Sequence, residues 1–155
     1  MIDFDAPNLA AAKWARERAG GLIKNITTTT RDQVREAVAE WVQEGQPLGA
    51  LRRNLQRIFD SRRRAQLIAQ TETTAAYAEG NLEAWRQSDV VKGARWNTVQ
   101  DERVCPICAP LDNQEGALGD IGGYWPPAHP GCRCFVSPVV SKEKMEKMLL
   151  WPIRN

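Results

Sequence analysis

The chain has 155 residues, 43% hydrophobic and 26% charged, with a net charge of +2. Those proportions suit one globular domain, or a small domain with a separate helical arm, and exclude wholesale disorder. No apolar run approaches the ~18–20 residues that span a bilayer, and the N-terminal stretch MIDFDAPNLA has no basic start ahead of an apolar run, as a secretory leader would. Assembly in a reducing cytoplasm, away from membranes, is therefore expected.

Residues 1 to about 90 have helical character. Asn8 to Ala19 is rich in Ala, Arg, Lys and Glu, with Leu9, Ala12 and Ala19 as a weak apolar stripe that Gly20-Gly21 ends. Thr30 with Gln33 forms a capping-box pattern, followed by Val34, Val38, Trp41 and Val42 on one helical face. Gly45 and Pro47 close that helix, and Leu48, Leu51, Leu55, Ile58 and Phe59 line the next. A third helix is expected over Arg62 to Arg86, with Gly80 as a soft spot.

The pattern changes after Ser88. Ala94, Trp96 and Thr98 alternate with Arg95, Asn97 and Val99, predicting a strand over Val90 to Val99. A turn-rich stretch follows, then a second strand over Cys134 to Val140 with Pro138 at its edge. Lys142 to Leu150 suits a short amphipathic helix. The expected fold is α+β: an N-terminal helical bundle and a small zinc-stabilised β-hairpin subdomain. Its divisions are a helical arm (1–24), a helical region (25–90), a Cys/His β subdomain (91–140) and a tail (141–155).

All four cysteines and the sole histidine fall within 30 residues: Cys105-Pro-Ile-Cys108, then His129-Pro-Gly-Cys132-Arg-Cys134. Two Cys/His turns of this spacing can converge on one tetrahedral zinc ion. Five donors compete for four places. Cys105, Cys108, His129 and Cys132 are the favoured set, with Cys134 as the rival for the last. In a regular strand Cys132 and Cys134 would point to opposite faces. Buried unmetallated thiols or a disulfide are the alternatives. A catalytic zinc fits poorly, because thiolates saturate the ion; Asp101, Asp112 and Asp120 lie nearby without an assigned role as base. A Cys–His nucleophile and a redox dithiol fit less well than chelation.

Arg52, Arg53, Arg57, Arg62, Arg63 and Arg64 stand against one acid, Asp60. Of these, Arg52, Arg53, Arg57, Arg63 and Arg64 are the candidate phosphate contacts. A solvated face paired with Glu36, Glu40 or Glu44 is expected ahead of phosphate contact, and an acidic capsid or portal surface is the third reading.

The run from Lys92 to Val136 resembles the C-terminal signature of the phage Mu F-type family of head-morphogenesis, or minor capsid, proteins. The matching residues are Trp96, Asp101-Glu-Arg-Val104-Cys105-Pro-Ile-Cys108, Leu111-Asp112 and Pro126-Pro127-Ala-His129-Pro130-Gly-Cys132-Arg133-Cys134. Arg64-Ala65 ahead of Ile68-Ala-Gln-Thr71-Glu72 is also similar; the chain departs from the pattern at Gln70 and Asn113. The likeness covers roughly residues 25 to 140. It implies a non-enzymatic, portal-associated head component acting in morphogenesis, DNA packaging or delivery, made in the host cytoplasm and carried in the virion. Implied partners are portal or capsid subunits and DNA, without membrane or small-molecule substrate. A DNA-binding zinc module is the alternative, and a hydrolase or toxin a weaker third. For Thr71-Glu72, a solvated helix face is expected ahead of a specific contact with the zinc subdomain.

Overall fold

A computed structural model of the chain describes residues 9–149. Asn8, the expected start of the first helix, and Leu150, the expected end of the last, lie outside them. Four helices, α1 (Leu9–Arg18), α2 (Thr28–Gln43), α3 (Leu48–Ile58) and α4 (Arg62–Arg86), precede a small antiparallel sheet. Its strands are β1 (Val91–Asn97), β2 (Glu115–Gly116) and β3 (Phe135–Val140), and α5 (Lys142–Leu149) follows.

The helical core follows the apolar spacing, with two changes. On α1 the buried stripe is Ala11, Ala12 and Ala15, continued by Ala19 just past its end, while Leu9 is exposed. Alanines let the helix backbone approach closely, and Arg31 of α2 closes the contact by donating to the carbonyls of Gly20 and Ile23. These carbonyls follow the last turn of α1, where helical partners run out. The α2 cap is Thr27, not the expected Thr30–Gln33 box: Thr27 Oγ1 accepts the Thr30 N–H at 3.1 Å and shares a hydrogen bond with the Thr30 hydroxyl. The threonine run thus occupies the first turn, where N–H groups need side-chain partners and β-branching costs least. Val34, Val38, Leu51 and Leu55 are fully buried, each contributing roughly 1.5–3 kcal/mol.

α4 runs through Gly80 and serves two cores. Ala65, Ile68, Ala69 and Ala76 join the helical cluster, whereas Trp85 packs on the second cluster, around Trp96, Ile121 and the cysteines. Thr71 and Glu72, expected on a solvated face, are buried at 4% and 3% exposure, because both α1 and the loop after Trp125 close over this part of the helix.

The expected hairpin is a three-stranded sheet in the order β2–β1–β3. Two-residue β2 was illegible because it shows no alternation. Ala94 and Trp96 point into the core, and Arg95 pairs with Glu115 across β1 and β2 at 2.6 Å. The backbone of Trp96 bonds to Gln114 and Asn113, on the β2 side, so Arg95 and Asn97 address Ser137 and Phe135 of β3. Pro138, opposite Ala94, therefore turns its backbone to the open side of β3, where it has no N–H to offer.

β1 and β2 approach so closely that a Cβ on Gly93 would lie 2.6 Å from the Gly116 carbonyl oxygen. Both atoms belong to paired backbone and cannot yield as a side chain would. Gly93→Ala should cost about 1–3 kcal/mol in denaturant unfolding; a change within about 0.5 kcal/mol, the usual range for surface sites, would show that the strands can part.

Burial pushes the Glu72 carboxyl up to about 7, against the Gly20 N–H and the Arg31 charge, which lower it. A carboxyl raised in the folded state contributes stability at low pH that is lost as pH rises through its folded value. Between about 4.5 and about 7 the wild type should lose about 3 kcal/mol relative to Glu72→Gln. Parallel pH–stability curves for the two proteins would contradict this.

Candidate metal centre

Two turns of the same shape carry the donors. In the first, the Cys108 and Ala109 N–H groups donate to the Cys105 carbonyl, and the Cys108 N–H also reaches the Cys105 sulfur at 3.4 Å. In the second, the Cys132 N–H donates to the His129 carbonyl at 3.1 Å. Asp101 and Arg133 join the turns through a two-bond ion pair, both distances 2.7 Å. That pairing holds the Asp101 carboxyl down at about 2, and the Arg103 N–H on Asp101 adds to the effect. Asp112 receives the Thr98 N–H and hydroxyl, both at 2.8 Å, tying the end of β1 to the turn after the first ligand pair.

The five predicted donors converge. His129 Nε2 lies 3.1 Å from Cys105 Sγ and 3.3 Å from Cys108 Sγ; Cys108 Sγ lies 3.9 Å from Cys132 Sγ. Cys105, Cys108 and His129 form one group within 4.8 Å, and Cys108, Cys132 and Cys134 another. Cys108 belongs to both. Cys132 and Cys134 fall just before β3, so strand alternation does not separate them, and both are buried. The choice between them as fourth ligand is open: Cys132 is the sulfur at 3.9 Å from Cys108, while Cys134 lines a cavity of about 30 Å³ with Cys105, Cys108 and His129.

Tetrahedral zinc with Zn–S near ~2.3 Å would set sulfurs ~3.8 Å apart and sulfur–nitrogen pairs at ~3.5 Å. The observed 3.1–3.9 Å fits that geometry. His129 Nδ1–H donates to the Pro130 carbonyl at 2.9 Å, which leaves the Nε2 lone pair facing the thiols.

The thiol chemistry agrees. Burial pushes the Cys105 thiol up, but N–H groups of its own turn outweigh it, so the net shift is downward. Burial first, then neighbouring sulfurs, pushes Cys108 well up, and burial with the Cys132 charge raises Cys134. A central cation would relieve those penalties. The buried Trp96 Nε1–H has no acceptor at hydrogen-bonding distance. The cluster can hold a metal ion.

Sequence reasoning placed the Thr71 contact with the Cys/His subdomain, the anchor on α4, behind a solvated face and did not see Thr74. Thr71 Oγ1 donates to the Leu67 carbonyl and accepts the Gly131 N–H, both at 2.8 Å, while Thr74 Oγ1 donates to the Cys132 carbonyl at 2.9 Å. The pair spaced i, i+3 on one helix face was the signal for it. The acids left without a role also have structural ones: Asp101 and Asp112 as above, and Asp120 accepting the Gly123 N–H.

The arginine patch stays apart from this centre. Among the described residues none of its six arginines forms an ion pair; Glu36 is taken by Arg16, and Glu44 by Gln46. The expected pairing with α2 is therefore replaced by contacts such as Arg64 to the Lys24 carbonyl and over the Phe59 ring, 5.0 Å from its centroid.

Thr71→Val keeps the shape of the side chain but leaves the Gly131 N–H without its acceptor. It should cost about 1–3 kcal/mol, with Thr71→Ser largely neutral. Equal denaturation midpoints for the valine and serine variants would remove the anchor's role.

Comparison with curated proteins and with solved structures gives no match. Residues 32–137 match the family described as Phage Mu protein F like protein. The match runs from α2 into β3 and contains all five Cys/His donors. With more than half of its length matched, the chain belongs to the Phage Mu protein F like family.

Proposed function

We propose that the chain is a minor, portal-associated component of a phage head that acts in morphogenesis and DNA packaging or delivery, with a structural zinc ion in its C-terminal part. The observation that carries this is the family match spanning both the helical core and the Cys/His cluster. Zinc is the metal of choice because thiolates and imidazole suit it and leave no ligand position free. In such a site zinc stabilises a loop-rich segment that has little core of its own. The nearby carboxylates are engaged in structural hydrogen bonds, which supports a non-enzymatic role without small-molecule substrate. Partners are portal or capsid subunits, met in the host cytoplasm and retained in the virion. Among the described residues no helix is long and apolar enough to cross a membrane.

Protein purified without added metal should carry about one equivalent of zinc. Chelation should melt the sheet portion and leave most helical signal. Less than about a tenth of an equivalent, with Cys105 found disulfide-bonded, would overturn the zinc assignment. For the head role, a phage carrying Cys108→Ser should yield fewer DNA-filled heads; a normal yield, together with absence of the protein from purified virions, would refute it.

Arginines without ion pairs support DNA as a further partner, the reading of a DNA-binding zinc module. Duplex affinity should fall with salt at a slope of about −0.9 per phosphate contacted. Charge reversal at Arg52, Arg53, Arg63 and Arg64 should flatten that slope. No binding by wild type at low salt ends this reading.

A further inference from the structure

A cleft of about 220 Å³ lies where the end of α1, the middle of α4 and the Trp125–Pro127 segment meet. The Pro126–Pro127 peptide bond is cis. Glu72 lines the cleft while only 3% exposed, and among the described residues it has no ion pair. Arg31, whose charge reaches Glu72, directs its N–H groups to the Gly20 and Ile23 carbonyls instead, and Arg18 lines the cleft without forming an ion pair with either glutamate. Glu79, on the same wall, feels the charges of Arg18 and Arg86 without pairing with either. Trp14 and Trp125 supply aromatic surface, and the Trp125 Nε1–H is buried without an acceptor.

The spacing tells against a metal. Seven residues along a helix separate the two glutamates by about 10 Å, whereas carboxylates sharing one hard cation sit ~2.3–2.6 Å from it. A carboxylate beside indole rings matches a different ligand. A guanidinium is planar, weakly hydrated, able to bond a carboxylate with two N–H groups, and stacks on aromatic faces. The volume equals several waters at ~30 Å³ each, room for a long side chain.

We propose that this cleft receives an arginine side chain of a partner polypeptide, which pairs with Glu72 between Trp14 and Trp125. The proposal is independent of the metal and of the head role.

The test uses the full chain and an acetylated, amidated tri-arginine peptide, with tri-citrulline as the neutral isostere. Indole N–H resonances, assigned through Trp14→Phe and Trp125→Phe, are followed by NMR. Tri-arginine should shift the Trp14 and Trp125 signals saturably and tri-citrulline should not. Glu72→Gln should weaken the affinity about tenfold or more, the size of a lost charge-assisted contact. Glu72→Ala repeats the comparison if Glu72→Gln does not fold. Unmoved Trp14 and Trp125 signals, an equal response to tri-citrulline, or unchanged affinity in both variants would overturn the proposal. So would a protein-concentration-dependent shift of these signals without peptide, which would assign the cleft to a second copy.

Discussion

Two threonine hydroxyls one helical turn apart hold the second ligand turn against the longest helix. Thr71 receives the Gly131 N–H and Thr74 donates to the Cys132 carbonyl, so the backbone on both sides of that peptide is fixed to α4. His129 and Cys132 are thereby aimed from a rigid rod rather than from a free loop. The contact leaves little clearance: a Cβ on Gly131 would lie 2.8 Å from the Leu67 side chain, and Gly131 has φ +77°. The exposed end of Leu67 can yield, so it is the left-handed backbone that favours glycine there. The helical core sets α4, α4 sets the second turn, and the Asp101–Arg133 pair sets the first turn against the second.

The electrostatics follow the same hierarchy. Beside the cluster Asp101 and Arg133 neutralise each other and join two loop segments. The sulfurs are the exception. Cys108 is buried among neighbours that oppose its ionisation, so without a cation beside it the thiol keeps its proton. Glu72 of α4 is likewise buried, and the Gly20 N–H and the Arg31 charge only partly offset that burial.

Much of this was legible because it is periodic or chemically rare. α4 begins and ends at the expected residues, β1 and β3 fall within two residues of theirs, and the five donors are drawn together as their spacing implied. What stayed hidden depends on tertiary partners. Thr27 outcompetes Thr30 as cap because the chain enters α2 one turn earlier than the apolar pattern begins. Strand β2 exists only because β1 passes beside it. Thr71 and Glu72 read as polar surface because two polar residues on a helix carry no sign that a loop some 60 residues later will cover them.

The donor-free position on the outer edge of β3 has a consequence beyond this one molecule. An exposed strand offers unpaired backbone groups to any strand of a neighbouring chain. With Pro138 in mid-strand, a continuous ladder cannot form there, so neighbouring copies crowded at high local concentration are kept from fusing their sheets into fibres.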